Sequence, residues 1–330
     1  MTGPIGHPAS GNNGTGGGVA MANGLGLVTA RPLVQRSPTL RFPLSMADTV
    51  RVAPGQTISA GILLADRLRD PLVEETGRRR REEAGDSPLL SAGQRTWLLS
   101  GGQREPLESP ISGIVRSADT ATGLVVEAAA DSLAGVLAIG GPSRGRLEIA
   151  TGADGELRPA ALDVGRSGSI LVVGSRVEAE TLTRARAMGV RGVVVAALSG
   201  KDLRDFEASE RRQRASVHQL APFAVLVLDG VLRRRIASPV MELLASLEGN
   251  EVAIVGDPPQ LLFRRVESVP TPPADWVRVA SGPMAGREGR WAGPAGPRRF
   301  GAAVHLEAGF VRFDDGPPTP VPLADLERFV

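Results

Sequence analysis

Ser169-Ile-Leu-Val-Val-Gly174, Val190-Arg-Gly-Val-Val-Val-Ala-Ala-Leu198, Phe223-Ala-Val-Leu-Val-Leu228 and Glu251-Val-Ala-Ile-Val255 are four short, almost unbroken apolar runs. Each is short for a buried helix and rich in β-branched residues, so each predicts a strand. Strands that are apolar at nearly every position must be covered on both faces, as in parallel sheets. The segments between them carry helix signals. Ser175-Arg-Val-Glu178 has the spacing of a capping box and predicts a helix running through Met188 and stopping at Gly189. A charged helix is expected from Lys201 to about Gln219. Ser238-Pro239 opens a third, with proline at its first position, ending near Gly249. Strands alternating with helices predict a parallel α/β sandwich over residues 161–265.

On the carboxyl side, residues 266–274 contain Pro270, Pro272 and Pro273 and read as a stiff linker. Residues 275–330 then return to β-structure. Trp276-Val-Arg-Val279 is the entry strand, followed by Ser-Gly-Pro-Met-Ala-Gly-Arg-Glu-Gly-Arg-Trp from Ser281 to Trp291. Its glycines fall where the chain must turn tightly. The chain closes on Gly316-Pro-Pro-Thr-Pro-Val-Pro-Leu-Ala-Asp-Leu-Glu-Arg-Phe-Val330. This segment resembles the KOW barrel that closes the bacterial NusG family of transcription elongation factors. The family's G-P-x-x-G-x-x-G turn matches Gly282, Pro283, Gly286 and Gly289. Its closing T-P-V-x-L strand and acidic turn match Thr319, Pro320, Val321, Leu323 and Glu327. The resemblance implies an SH3-like β-barrel docking on protein partners such as ribosomal or termination components. The family's polymerase-binding domain has no counterpart in this sequence.

On the amino side, residues 1–26 are rich in Gly and Asn and predict a disordered tail. Residues 27–160 show short apolar alternations broken by Gly and Pro, which predict a β-rich domain. Thr49–Ala65 and Glu108–Glu127 resemble the two halves of a barrel-sandwich hybrid, the fold of biotinyl and lipoyl carriers. In that resemblance Gly55 and Gly61 take the bends between strands, while Pro110 and Gly113 open the partner strand. The chain's single lysine, Lys201, lies outside this region, so biotin or lipoate has no attachment point and a non-carrier version is implied. Between the halves, Arg78-Arg-Arg-Arg81 reads either as an anion-binding patch or as an insert neutralised by Glu74, Glu75, Glu82, Glu83 and Asp86. The predicted architecture is therefore multidomain α/β plus all-β: a barrel-sandwich-like domain, a parallel α/β domain and a KOW barrel.

Composition restricts the chemistry. The 330 residues include no cysteine, which removes disulfides, thiolate metal sites and cysteine nucleophiles. Histidines stand only at His7, His218 and His305, too scattered in sequence to suggest a metal centre. The pI near 10.1 accompanies a net charge of only +2. With almost no lysine and no tyrosine or cysteine to titrate, a small arginine excess drives the isoelectric point upward. It is no argument for nucleic acid. The sequence shows neither a membrane-length apolar run nor a signal-peptide pattern, so a soluble cytoplasmic protein is expected.

No nucleophile elbow or P-loop is present, and a non-catalytic protein is expected. Two places merit inspection. Gly174, Ser175 and Arg176, with Gly200 and Lys201, follow strands and precede helices, where an anion would meet free N–H groups; turn and cap geometry alone asks for the same Gly and Ser. In the C-terminal segment, Arg278, Arg287, Arg290, Arg298 and Arg299 accompany Phe300 and suit either phosphate and base contact or a protein interface. The expected role is that of an adaptor meeting a ribosomal or transcription component, or RNA. The alternatives are a ligand-binding or enzymatic α/β domain, and a self-assembling homo-oligomer.

Overall fold

The computed structural model describes residues 24–69, 103–216, 221–314 and 316–330. Most of the expected tail, the Arg78–Arg81 insert and His218 lie outside the described residues. The described chain is mainly β. It divides into a larger unit, Pro32–Thr271, and a smaller one made of Met1–Arg31 with Pro272–Val330.

After β1 (Thr29–Arg31), which belongs to the smaller unit, come β2 (Gln35–Arg36), β3 (Thr39–Phe42), β4 (Thr49–Val50) and β5 (Thr57–Ile58). The longer β6 (Leu63–Arg69) pairs with β7 (Gln103–Glu108), and β8 (Gly113–Asp119) forms a hairpin with β9 (Gly123–Ala128). Two small sheets result, in the orders β3-β9-β8-β5 and β4-β6-β7. Leu40, Phe42, Ile58, Leu64, Leu107, Val115, Leu124 and Val126 from both sheets share one core.

That core extends to Ala253, Val255 and Leu262, so the small sheets pack directly against the α/β part of the chain. Here β10 (Asp131–Ala134), β11 (Leu137–Gly140) and β12 (Ser143–Ile149) precede β13 (Ser169–Arg176), α1 (Ala179–Ala187), β14 (Gly192–Ala197) and α2 (Gly200–Ser216). Then follow β15 (Ala224–Gly230), α3 (Ser238–Ser246), β16 (Glu251–Gly256) and β17 (Pro259–Phe263). They form one nine-stranded sheet in the order β11-β15-β14-β13-β12-β16-β17-β10-β2. The expected boundary near residue 160 is therefore not where the structure divides: β2, β10, β11 and β12 come from the segment read as a separate β domain. Alternate residues of β13 and β14 fill opposite faces. Leu171, Val173, Val193 and Val195 join Leu182, Ala185 and Phe206 of the helices, while Ile170, Val172 and Val194 are fully buried on the other side.

Only part of the sheet is parallel. β12 through β15 run together, but β16 lies antiparallel to β12, and β11 antiparallel to β15. The nine-residue α3 does not carry the chain back along the height of the sheet, so β16 starts at the end where β15 stopped. An apolar run reports burial of both faces, not strand direction. The helix ends are closer to expectation. α1 gives way at Gly189, whose φ is +84°, and Pro239 sits in the first turn of α3. The start of α1 is a correction. Ser175 is not its cap, because β13 continues through Arg176 and Glu178 holds the N-cap position.

The smaller unit adds β18 (Trp276–Val279), β19 (Glu288–Arg299), β20 (His305–Arg312), β21 (Thr319–Pro322) and β22 (Leu326–Phe329). Its sheet order is β1-β22-β18-β19-β20-β21. The sheet curls around Val277, Val279, Trp291, Val311, Phe313, Val321 and Leu326, and Val28, just before β1, enters the same core. β1 runs parallel to β22, pairing Thr29 with Glu327 and Arg31 with Phe329. Residues 27–31, read from sequence as the start of an N-terminal domain, thus complete the C-terminal one.

Candidate functional site

At the carboxyl ends of β13 and β14 the five expected anion-binding residues separate. The Gly174 N–H donates to Thr151 Oγ1 at 2.8 Å, and the fully buried Ser175 donates its hydroxyl to the Asp154 carbonyl at 3.0 Å. Both anchor the 151–155 turn rather than facing an opening. Gly200 begins α2, and Lys201 is exposed. Arg176 reaches Asp202 Oδ2 at 3.3 Å and Glu178 at 3.8 Å.

Asp202 is the residue that sequence reasoning missed. Its carboxylate accepts the Ala179 N–H, at the first residue of α1, at 3.3 Å, and the Ser199 hydroxyl as well. The Asp202 N–H in turn donates to Ser199 Oγ at 3.1 Å. Ser199-Gly-Lys-Asp202 is thus the reciprocal cap that Ser175–Glu178 was expected to provide. The signal was available: Ser, then an acidic residue three positions on, directly after an apolar strand. Two helix starts and one guanidinium converge on this carboxylate, and the chain supplies its own anion where a ligand's would sit.

Burial pushes the Asp202 carboxyl up, but the Ser199 hydroxyl, the Ala179 N–H and the Arg176 charge outweigh it and hold the group below its ordinary 3.8. A depressed folded-state pKa stabilises the fold above the unfolded value, and that contribution disappears as pH falls through the folded one. Asp202→Asn is therefore expected to be less stable than the wild type by a constant margin above about pH 5. The margin should close below about pH 4, as followed by urea unfolding across the pH range.

The six residues expected on the C-terminal surface also divide. Arg278 is not on a surface at all: it is 1% exposed and meets Glu327 Oε1 at 3.3 Å. These two residues are direct cross-strand partners in β18 and β22, which draws the charge inward. Arg287 lies over the Phe313 ring at 4.3 Å and within 3.9 Å of Asp314, and Arg290 pairs with Asp275. Arg298 and Arg299 have no carboxylate partner among the described residues. Arg298 lies over the Phe310 ring at 5.6 Å, and Arg299 faces His305 across the hairpin. Phe300 is half-buried at the turn.

Two more residues join this surface. Val311 and Phe313 point into the core, so Phe310 and Arg312 must point outward by strand alternation. Arg312 is exposed, stands directly opposite Arg290, and also lacks a carboxylate among the described residues. Val304 and Leu306, 49% and 39% exposed, extend the patch along the hairpin. The result is a cationic, partly aromatic strand face whose charge the molecule leaves uncompensated, suited to an anionic or aromatic partner surface.

Among the described residues no group of His, Asp or Glu could hold a metal ion, and no helix is long and apolar enough to cross a membrane. No protein-family model matches the chain, and no curated protein matches it in sequence.

Proposed function

We propose that this protein is a non-catalytic adaptor of the transcription or translation machinery, and that it docks through the outer face of β19 and β20. The observation that carries this reading is the sorting of the arginines. Arg278, Arg287 and Arg290 are neutralised within the smaller unit, whereas Arg298, Arg299 and Arg312 keep their charge beside Phe300 and Phe310. The Gly282–Gly289 turn and the Thr319-Pro320-Val321 strand support reading the smaller unit as a KOW-type barrel, a module that meets ribosomal proteins, termination factors or RNA. The small sheets around Leu40 and Val126 serve as a non-carrier barrel-sandwich scaffold with neither biotin nor lipoate, and the protein works in the cytoplasm. The α/β part is structural in this reading, since Asp202 already fills its helix-terminal anion position.

Purified ribosomes, RNA polymerase and single-stranded RNA are the probes. The full chain is expected to bind one of them with strong salt dependence. The triple variant Arg298→Ala, Arg299→Ala, Arg312→Ala should bind it about 100-fold more weakly with an unchanged melting curve. Equal binding by the triple variant, or binding to none of the three probes, refutes the reading.

A further inference from the structure

The geometry points to a second copy of this chain as a partner, reached by exchange of the N-terminal strand β1. β1 is only three residues long and forms one edge of its sheet. It is held by a short parallel ladder to β22, by the Val330 N–H donating to the Arg31 carbonyl at 3.0 Å, and by Arg31 over the Phe329 ring at 5.9 Å. Its apolar anchor is Val28, 3% exposed, in the core with Val277 and Leu326; Thr29 and Ala30 are exposed. A single valine plug is a small share of a domain's stabilisation, so lifting β1 leaves most of the curled sheet intact.

What lifting leaves behind is specific. β22 becomes an open edge beside an unfilled apolar position, a surface that proteins cover. The chain segment that fits it is residues 25–31, and a second copy carries the same segment. The hinge favours exchange. Arg31, the last residue of β1, is followed at once by Pro32 and then by Leu33, which is 2% exposed within the larger unit. A connection with no slack is the kind that closes more easily between two chains than within one. Reciprocal exchange buries the same contacts twice and forms a closed twofold dimer, with no new surface required.

The absence of cysteine makes the test clean. Ala30 and Arg328 are register partners across the β1–β22 pair. Neighbouring strands lie about 4.8 Å apart, within disulfide reach, so full-length Ala30→Cys/Arg328→Cys can report which chain supplies β1. The variant is incubated reduced over a hundredfold range of concentration, then diluted and oxidised. Cross-linked monomer is expected from dilute samples, and the fraction of cross-linked dimer should rise about tenfold in concentrated ones. Cross-linked monomer at every concentration overturns the proposal. Wild-type chains carrying two different tags give an independent reading. Mixed at high concentration, they should co-purify after dilution, and Val28→Asp in both should abolish this. Failure of the wild-type chains to co-purify, or co-purification that survives Val28→Asp, refutes exchange through β1.

Discussion

Glu327→Ala should destabilise the smaller unit by about 3–5 kcal/mol, because it leaves the guanidinium of Arg278 buried without its anion. Arg278 is 1% exposed and Glu327 14%, so water cannot replace the lost partner without opening the β18–β22 contact. The cost is that of an orphaned charge, not the net worth of the pair. Replacing both residues, with Arg278→Met and Glu327→Leu, should therefore recover most of the loss. Denaturant unfolding followed by tryptophan emission suits the measurement, since Trp276 and Trp291 both lie in this unit. A loss below about 1 kcal/mol for Glu327→Ala would mean the pair behaves as a solvated surface bridge.

Gly309→Ala is the second large effect, and its cause is space rather than charge. A Cβ on Gly309 would lie 1.9 Å from Cζ3 and 2.2 Å from Cη2 of Trp291. The indole is 9% exposed and packed in the core, so neither partner can yield by rotating a flexible end. Overpacking of this kind costs about 3 kcal/mol, and the tryptophan must leave its position to relieve it. The expected signs are a lower melting temperature and a red-shifted emission in the native state. Trp291→Leu alone should destabilise by leaving a cavity, but combined with Gly309→Ala it should cost less than the sum of the two. Additive losses would show that the two residues are not in contact.

Much of the local structure was legible because its causes are local. Gly282 and Gly286 have φ of +79° and +88°, as a tight turn after the entry strand demands. Pro239 and Gly189 mark helix ends for equally local reasons. What escaped is what depends on residues far apart in sequence. The direction of β16 is set by its pairing with β12, about which Glu251–Val255 carries no information. The burial of Arg278 depends on Glu327, and an isolated Trp-Val-Arg-Val reads as an ordinary strand with its arginine in water. β1 looked like the start of the next domain because its partner is the last strand of the chain. The candidate site failed and succeeded on the same principle. The helix-terminal anion position was found correctly, but its occupant was Asp202, one residue beyond the lysine that had drawn attention. In the smaller unit, exposure had to be known before Arg298 and Arg299 could be told from Arg278, Arg287 and Arg290.

The pairing of β1 with β22 also sets a timetable for synthesis. β1 is among the first segments to leave the ribosome and β22 is the last, with all of residues 32–325 made between them. At ordinary elongation rates of about 5–20 residues per second, the first strand waits on the order of 15–60 s for its partner. The larger unit can close during that interval, whereas the smaller one completes its core only after the chain is released. Until then Val28 remains exposed on every nascent chain, and neighbouring chains on one messenger present the same waiting strand to one another.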